Sequence, residues 1–174
     1  MDLKKDPTDI YFRQPEIADA PFMERLVKAS PPLDLNSLYC YLIVCAHFFR
    51  TSVVACDAGA VCGFISAYVR PGAEDTLFVW QVAVEKTHRG KGIARSMLSS
   101  LLNRTAPRSP RYLETTVSPS NIPSKALFSS LAASLGAPLM QSVLFSADDF
   151  GESRHEEEVL FRIGPLDLLS QEEI

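Results

Sequence analysis

The stretch from Trp80 to Leu98, WQVAVEKTHRGKGIARSML, restricts this chain more than any other. Leu77 to Val84 is rich in β-branched and aromatic residues and is bounded by charge, which predicts a strand. A polar turn, Glu85 to His88, leads into Arg89-Gly90-Lys91-Gly92-Ile93-Ala94. Beyond it, Ile93, Met97, Leu98, Leu101 and Leu102 recur at helical spacing. A strand, a glycine-rich loop and a helix start make a seat for an anion. The first-turn N–H groups have no partner within the helix, and the macrodipole favours negative charge beside them. Gly90 and Gly92 let the backbone come close with no Cβ in the way, and Arg89, Lys91 and Arg95 add positive charge. There is no G-x-x-x-x-G-K-[ST], which rules out a mononucleotide P-loop. No G-x-G-x-x-G opens a βαβ unit, which disfavours a dinucleotide fold.

The 174 residues are close to one domain's worth, and the 47% that are hydrophobic suffice for a full core. A net charge of −4 argues against a general nucleic-acid binder, which needs a basic surface for counterion release. No apolar run approaches a membrane span, and MDLKKDPTD has no signal core. Cys40, Cys45, Cys56 and Cys62 sit in apolar stretches without a C-x-x-C pair or a histidine at zinc spacing. Reduced thiols and a cytoplasmic location follow. The expected organisation is a disordered leader over 1–8, a single domain over 9–165 and a tail over 166–174.

In chain order, Ile10 to Arg13 reads as a strand. Pro15 then opens a helical region with Ile17, Phe22, Leu26 and Val27 as its apolar face, ending at Ser30-Pro31-Pro32. Asp34 or Asn36 can cap the next helix, whose stripe is Leu38, Leu42 and Cys45. His47 reads as a structural histidine. Thr51 to Cys56 and Ala60 to Val69 form a hairpin across Asp57-Ala58-Gly59, and Gly63 marks a bulge or a close backbone approach. After the central strand and the helix to about Arg104 come a strand, Tyr112 to Val117, and a loop, Ser118 to Ser124. A helix follows, Lys125 to Leu135, with Ala126, Leu127, Leu131 and Leu135 apolar and Gly136 as its stop. Leu139 to Phe145 and His155 to Ile163 are the last strands, with a loop, Ser146 to Gly151, between them. Strands and helices in this alternation predict a mixed sheet covered by helices.

R-x-x-G-x-A at Arg89 to Ala94, after a V-A-V strand, resembles the acetyl-coenzyme A loop of the GNAT superfamily of N-acyltransferases. Asn121-x-x-Ser124-x-x-Leu127-Phe128-x-x-Leu131 is similar to that superfamily's later motif. A narrower likeness covers roughly residues 10 to 165. D-L-N-S-x-Y-x-Y-L-x-x-C-x-H-F at 34 to 48, V-W-Q-V-A-V at 79 to 84, L-E-T-T-V-S-P-S-N at 113 to 121 and H-E-E-E at 155 to 158 resemble the L-2,4-diaminobutyrate acetyltransferases of ectoine synthesis. The resemblance implies an α/β (α+β) fold: a mixed, mostly antiparallel central sheet splayed between its fourth and fifth strands, with helices on both faces. It implies acetyl-CoA as co-substrate with no metal, a small diamino acid as acceptor, and a homodimer, without nucleic acid or membrane as partner.

The same resemblance assigns the site. Backbone amides of Val82, Ala83 and Val84 would meet the thioester carbonyl. Residues Arg89, Gly90, Lys91, Gly92, Ile93, Ala94 and Arg95 would hold the pyrophosphate, with Asn121 and Ser124 beside the pantetheine arm. Glu114, Asp34 and Tyr39 are the candidates for handling the proton. Asp34, Asn36, Tyr39, Trp80, Glu114, Thr116, His155 and Glu158 are the candidates for binding the acceptor. Plainer readings stand beside these: Glu114 as a solvated strand-end charge, Trp80 as a core aromatic, and the H-E-E-E run as a charged strand edge. The superfamily often has a Tyr after Leu127 to protonate the departing thiolate, whereas this chain has Phe128. Tyr39, Tyr41 or water could serve instead. A different amine acceptor, or a catalytically silent acyl-CoA sensor, are the alternatives.

Overall fold

The computed structural model describes residues 10–104, 110–153 and 155–167. The expected leader, most of the C-terminal tail and Pro107 lie outside the described residues. The strands are β1 (Tyr11–Arg13), β2 (Val53–Asp57), β3 (Ala60–Val69), β4 (Thr76–Val84), β5 (Tyr112–Val117), β6 (Leu139–Phe145) and β7 (Glu158–Ile163). The helices are α1 (Ala20–Lys28), α2 (Leu38–His47), α3 (Ile93–Arg104) and α4 (Ile122–Ser134). The strand order is β1-β2-β3-β4-β5-β7-β6. Only the β4–β5 pairing is parallel among those with a described register. It runs from Thr76–Tyr112 to Val79–Thr115, and both strands continue past the last pair.

The chain clusters into two compact units, the first made of residues up to Ser66 with Gln81–Leu101, the second of Ala67–Trp80 with the chain from Leu102 onwards. In the first unit, Met23, Leu26 and Val27 of α1 and Tyr41, Val44 and Cys45 of α2 join Val54, Cys56, Phe64 and Ala83 in one core. Two faces differ from the expected stripes. On α1, Phe22 is 41% exposed, with the Arg25 guanidinium 4.3 Å above its ring, and Met23 is inside instead. On α2 the buried face is led by Tyr41 rather than Leu38, with the phenol ring edge-on to Phe64 at 6.0 Å. The sequence LYCYLIVCAH is apolar all round, so apolarity alone selects no face. The cap of α2 is Ser37, whose hydroxyl accepts from the Cys40 N–H, in place of Asp34 or Asn36. His47 is exposed in the last turn of α2.

The hairpin between β2 and β3 forms as expected, with Ala58 at φ 49° and Gly59 at φ 85°, the two left-handed positions of a tight two-residue turn. Gly63 is a close approach: a Cβ there would lie 3.2 Å from the Ala83 carbonyl oxygen and from the Met97 methyl. The register of β2 on β3 also shifts between Ala55 and Cys56. Ile93, Met97, Leu98, Leu101 and Leu102 are all buried, so the α3 stripe is as predicted.

In the second unit, β7 starts at Glu158 rather than His155, because the preceding residues are tied to loops. The His155 ring stacks on Phe150 at 4.0 Å, and the Glu156 carboxylate accepts from the Ser120 N–H at 3.0 Å. Helix α4 begins at Ile122, three residues before the expected start, because the Asn121 side chain already caps it at Ser124 N–H. Its buried residues are Phe128, Leu131 and Ala132; Ala126 is exposed. The expected loop after β6 contains a 3-10 turn, Ala147–Phe150.

A partly buried ion pair ties β1 to the 3-10 turn Ile17–Asp19 that leads into α1. Arg13 grips Asp19 with two guanidinium contacts, at 2.6 and 2.9 Å, and the Glu16 N–H donates to the same carboxylate at 2.7 Å. Burial raises the Asp19 proton affinity, but these donors outweigh it and hold the carboxyl below the usual range. A carboxyl depressed in the folded state stabilises the fold above its unfolded pKa, near 3.9, and that contribution is lost as pH falls through the folded value. Asp19→Asn should therefore lower the unfolding temperature at pH 7 and have a much smaller effect at pH 2 to 3. Thermal unfolding of both proteins across pH 2 to 8 checks this.

Candidate active site

The turn after β4 is held by two side chains, Arg89 and His88. Arg89 donates from Nε to the Val84 carbonyl at 2.9 Å and from Nη2 to Ser30 Oγ at 2.8 Å. His88 lies between carboxylates, with Nε2 2.9 Å from Asp57 and Nδ1 2.9 Å from Glu85. Arg89, expected as a phosphate ligand, thus carries two structural contacts that fix where the loop begins. Sequence reasoning gave no role to His88 or Asp57. Their one signal was a histidine inside a run of basic residues.

Beyond that anchor, Gly90 and Gly92 both take φ 76°, and a Cβ on either would meet nothing within 4 Å. The glycines serve backbone conformation and leave open space in front of the loop. The ladder of α3 opens with the Ser96 N–H on the Gly92 carbonyl at 3.0 Å. The amides of Ile93, Ala94 and Arg95 precede it and have no acceptor within the helix. Lys91 and Arg95 are exposed beside them. Open glycine backbone, free helical amides and two exposed cations fit a pyrophosphate, as part of acetyl-CoA, by charge and by shape.

Gln81 is a polar residue, 6% exposed, inside the apolar run Leu77 to Val84 of β4. Its Nε2 donates to the Asp34 backbone carbonyl at 2.8 Å, and its Oε1 accepts from the Tyr41 hydroxyl at 3.2 Å. The segment carrying Asp34, Asn36 and Tyr39 is therefore pinned to β4 by a side chain that sequence reasoning overlooked. Its signal was one amide inside V-W-Q-V-A-V. Burial pushes the Tyr41 phenol up in pKa, against bonds from Asn36. The Tyr41 hydroxyl is thus engaged with Gln81. Tyr39 is 70% exposed, and the Asp34 side chain is exposed as well.

In the second unit, Trp80, Glu114 and Thr116 line one cavity of about 330 Å³, together with Tyr68, Arg70 and Phe78. Trp80 is 44% exposed, so the core reading of it is ruled out. Glu114 is 2% exposed, so it is no solvated strand-end charge. Arg162 hydrogen-bonds its Oε1, and Arg70 Nε faces its Oε2 at 3.6 Å. Neither arginine was singled out in the sequence, since each is an isolated basic residue at a strand position. His155 and Glu158 do not line this cavity. Glu158 accepts from Ser118 Oγ at 2.8 Å, and His155 Nε2 lies 3.9 Å from Glu158. With Glu156 on Ser120, the H-E-E-E run clasps the loop ahead of Asn121. Because β7 lies between β5 and β6, that run does not blunt an open edge. Asn121 Oδ1 is occupied as the cap of α4 through Ser124 N–H at 3.2 Å.

Burial pushes the thiols of Cys45 and Cys62 up to about 11, which leaves them unreactive near neutrality. Among the described residues, no cluster of His, Cys, Asp and Glu could hold a metal ion, and no helix is long and apolar enough to cross a membrane.

A cradle of this build, a strand followed by positive-φ glycines and an open helix N-terminus, belongs to enzymes that hold a phosphorylated co-substrate. Residues 16–132 match the Acetyltransferase (GNAT) family. The L-2,4-diaminobutyric acid acetyltransferase of Streptomyces coelicolor is 47% identical over 160 residues, covering 91% of this chain and 94% of its own. That of Marinococcus halophilus is 44% identical over 156 residues, covering 90% of each. Among solved structures, diaminobutyrate acetyltransferase EctA from Paenibacillus lautus, in complex with its substrate L-2,4-diaminobutyric acid and coenzyme A, superposes with a TM-score of 0.87 at 43% identity. It covers 91% of this chain and 96% of its own. Ard1 from Thermoplasma volcanium, at 14% identity and a TM-score of 0.73, shares the fold. The chain belongs to the GNAT family of acetyltransferases and, within it, to the L-2,4-diaminobutyric acid acetyltransferases.

Gly92→Asp should weaken acetyl-CoA binding by tenfold or more, roughly the loss of a charge-assisted contact. It forces an L side chain into φ 76° and sets a carboxylate before the open amides. Calorimetric titration with acetyl-CoA checks it, with circular dichroism to confirm the fold.

Proposed function

We propose that this chain transfers acetyl from acetyl-CoA to the 4-amino group of L-2,4-diaminobutyrate, the acetylation step of ectoine synthesis. The observation that carries the reading is the positive-φ glycine loop ahead of the free α3 amides, in a chain whose relatives are named for this reaction across nearly their full length. In this reading Arg89 to Arg95 receive the pyrophosphate, chiefly through the backbone of Gly90, Gly92, Ile93 and Ala94 and the charges of Lys91 and Arg95. Amides of Val82, Ala83 and Val84 receive the thioester carbonyl, where an aimed N–H lowers the barrier as charge develops on oxygen. Asn121 and Ser124 flank the pantetheine arm.

The amine must attack as a neutral group. With a pKa of about 10.4, as for Lys, neutrality near pH 8 costs about 3 kcal/mol, which a nearby proton acceptor and a partly dry cavity offset. Asp34, Tyr39 and Glu114 are the side chains to which we assign proton handling. Both Glu114 oxygens already face guanidinium groups, which supports transfer through water rather than directly to Glu114. Trp80 and Thr116 wall the methylene chain, whereas His155 and Glu158, engaged with Phe150 and Ser118, are not assigned to it. A homodimer is part of the same reading. It is supported by Met140, Val143, Leu144 and Phe145, all exposed on β6, which ends the sheet. We also infer that the enzyme works in the cytoplasm, where acetyl-CoA and reduced thiols coexist.

The test is thiol release from acetyl-CoA with a panel of amines. A marked preference for L-2,4-diaminobutyrate is expected; equal use of ornithine, lysine or polyamines would overturn the acceptor. Asp34→Ala should raise the acceptor KM or lower kcat at least about tenfold with little change in acetyl-CoA affinity, since a charged contact is lost. The Gln81 bond to the residue 34 carbonyl survives that change, so the loss reports the carboxylate. Steady-state kinetics varying each substrate in turn distinguishes the two effects.

A further inference from the structure

The cavity lined by Trp80, Glu114 and Thr116 contains a cation that the assigned chemistry leaves without a role. Arg70 follows β3 and lines the cavity, and Glu114 is the other charged residue of its lining. The backbone of Arg70 is set by the turn to β4: its N–H donates to the Thr76 carbonyl at 2.9 Å, and its own carbonyl accepts from Ala73 at 3.0 Å. The side chain is 45% exposed, while the carboxylate it faces is 2% exposed.

The two arginines on Glu114 differ in kind. Arg162 hydrogen-bonds Glu114, its guanidinium lies 3.8 Å from the centroid of the Tyr112 ring, and it is outside the cavity lining. It suffices to neutralise the buried carboxylate. Arg70 approaches through Nε at 3.6 Å, beyond a normal hydrogen bond. Two guanidinium groups on one carboxylate leave the cluster one positive charge in excess, on the side that opens into the cavity. A guanidinium fork in that position matches a carboxylate by charge and by geometry.

We propose that Arg70 is the specificity-determining residue that receives the acceptor's α-carboxylate, so that the enzyme selects a diamino acid over the same diamine without a carboxyl group. The inference rests on the acceptor reading of the preceding subsection. Its physical content is charge balance. Before deprotonation, a diamino acid carries two ammonium groups and one carboxylate, whereas 1,3-diaminopropane carries two ammonium groups alone. A cluster with a net positive charge repels the dication more than the singly charged acid and pairs with the acid's carboxylate, so one residue would both bind the substrate and disfavour its decarboxylated analogue.

The experiment compares L-2,4-diaminobutyrate with 1,3-diaminopropane on wild type, Arg70→Gln and Arg70→Lys, at saturating acetyl-CoA. Arg70→Gln should cut the ratio of kcat/KM for the acid to that for the diamine by about tenfold or more, mainly through KM for the acid. Arg70→Lys keeps the charge and loses the fork, so its ratio should fall between those of the glutamine variant and wild type. A residue that only holds Glu114 in place would depress both substrates together, and an unchanged ratio in either folded variant overturns the proposal. If Arg70→Gln does not fold, Arg70→Lys decides alone, by the same ratio. A wild type that uses both amines equally overturns the acceptor reading and this inference together. A wild type that prefers the acid by the same factor as Arg70→Gln overturns this inference alone.

Discussion

The amides at the start of α3 are the constraint around which the first unit is arranged. Ile93, Ala94 and Arg95 begin a helix whose ladder starts only at Ser96, so their N–H groups need water or an anion. Such a helix start must stay at the surface while Ile93, Met97, Leu98 and Leu101 stay buried. The loop before it therefore turns sharply through two positive-φ residues, and glycine meets that need without strain. What would otherwise be a mobile connection is fixed at its entrance by Arg89 on Val84 and Ser30, and by His88 between Asp57 and Glu85. Gly63 completes the support from beneath, because it lets β3 pass within contact of Ala83 and Met97. A binding loop without its own side-chain bonds to a ligand can still be pre-organised if its first residue is bonded on both sides.

The second unit solves a different problem. Glu114 is a charge within a sheet whose neighbours Leu113, Phe161 and Ile163 are buried and apolar. An unpaired carboxylate there would be strongly destabilising, and Arg162 across the β5–β7 ladder removes that penalty. The Arg162 ring contact with Tyr112 keeps the guanidinium where the carboxylate needs it. A buried ion pair contributes little to stability by itself.

Much of this was legible in the sequence. The β4–loop–α3 segment declared itself through an abrupt change from continuous apolarity to helical spacing across two glycines. The order of strands and helices followed from similar changes elsewhere. Faces were harder where composition carried no contrast: α2 is apolar all round, so only the Gln81–Tyr41–Phe64 contacts select its buried side. Helix α4 was read three residues short, because Pro123 and Ser124 look like loop when they in fact form the first turn behind a capping Asn121. The Arg162–Glu114 pair joins residues 48 positions apart in sequence. No local pattern announces such a partner, and it emerges only from the register of β7 on β5.

The same geometry bears on how the thiol leaves. Phe128 is 2% exposed on the buried side of α4, so the position that carries an acid in many GNAT enzymes is here a packing residue. Tyr41 is buried and its hydroxyl is bonded to Gln81. Tyr39 is largely exposed. A thiolate is already stable enough to depart as an anion near pH 8. In the proposed reading, departure without a dedicated side-chain acid, followed by protonation from water, is compatible with Phe128 at that position. It also shifts the burden of catalysis toward presenting a neutral amine, which is the task of the acceptor side.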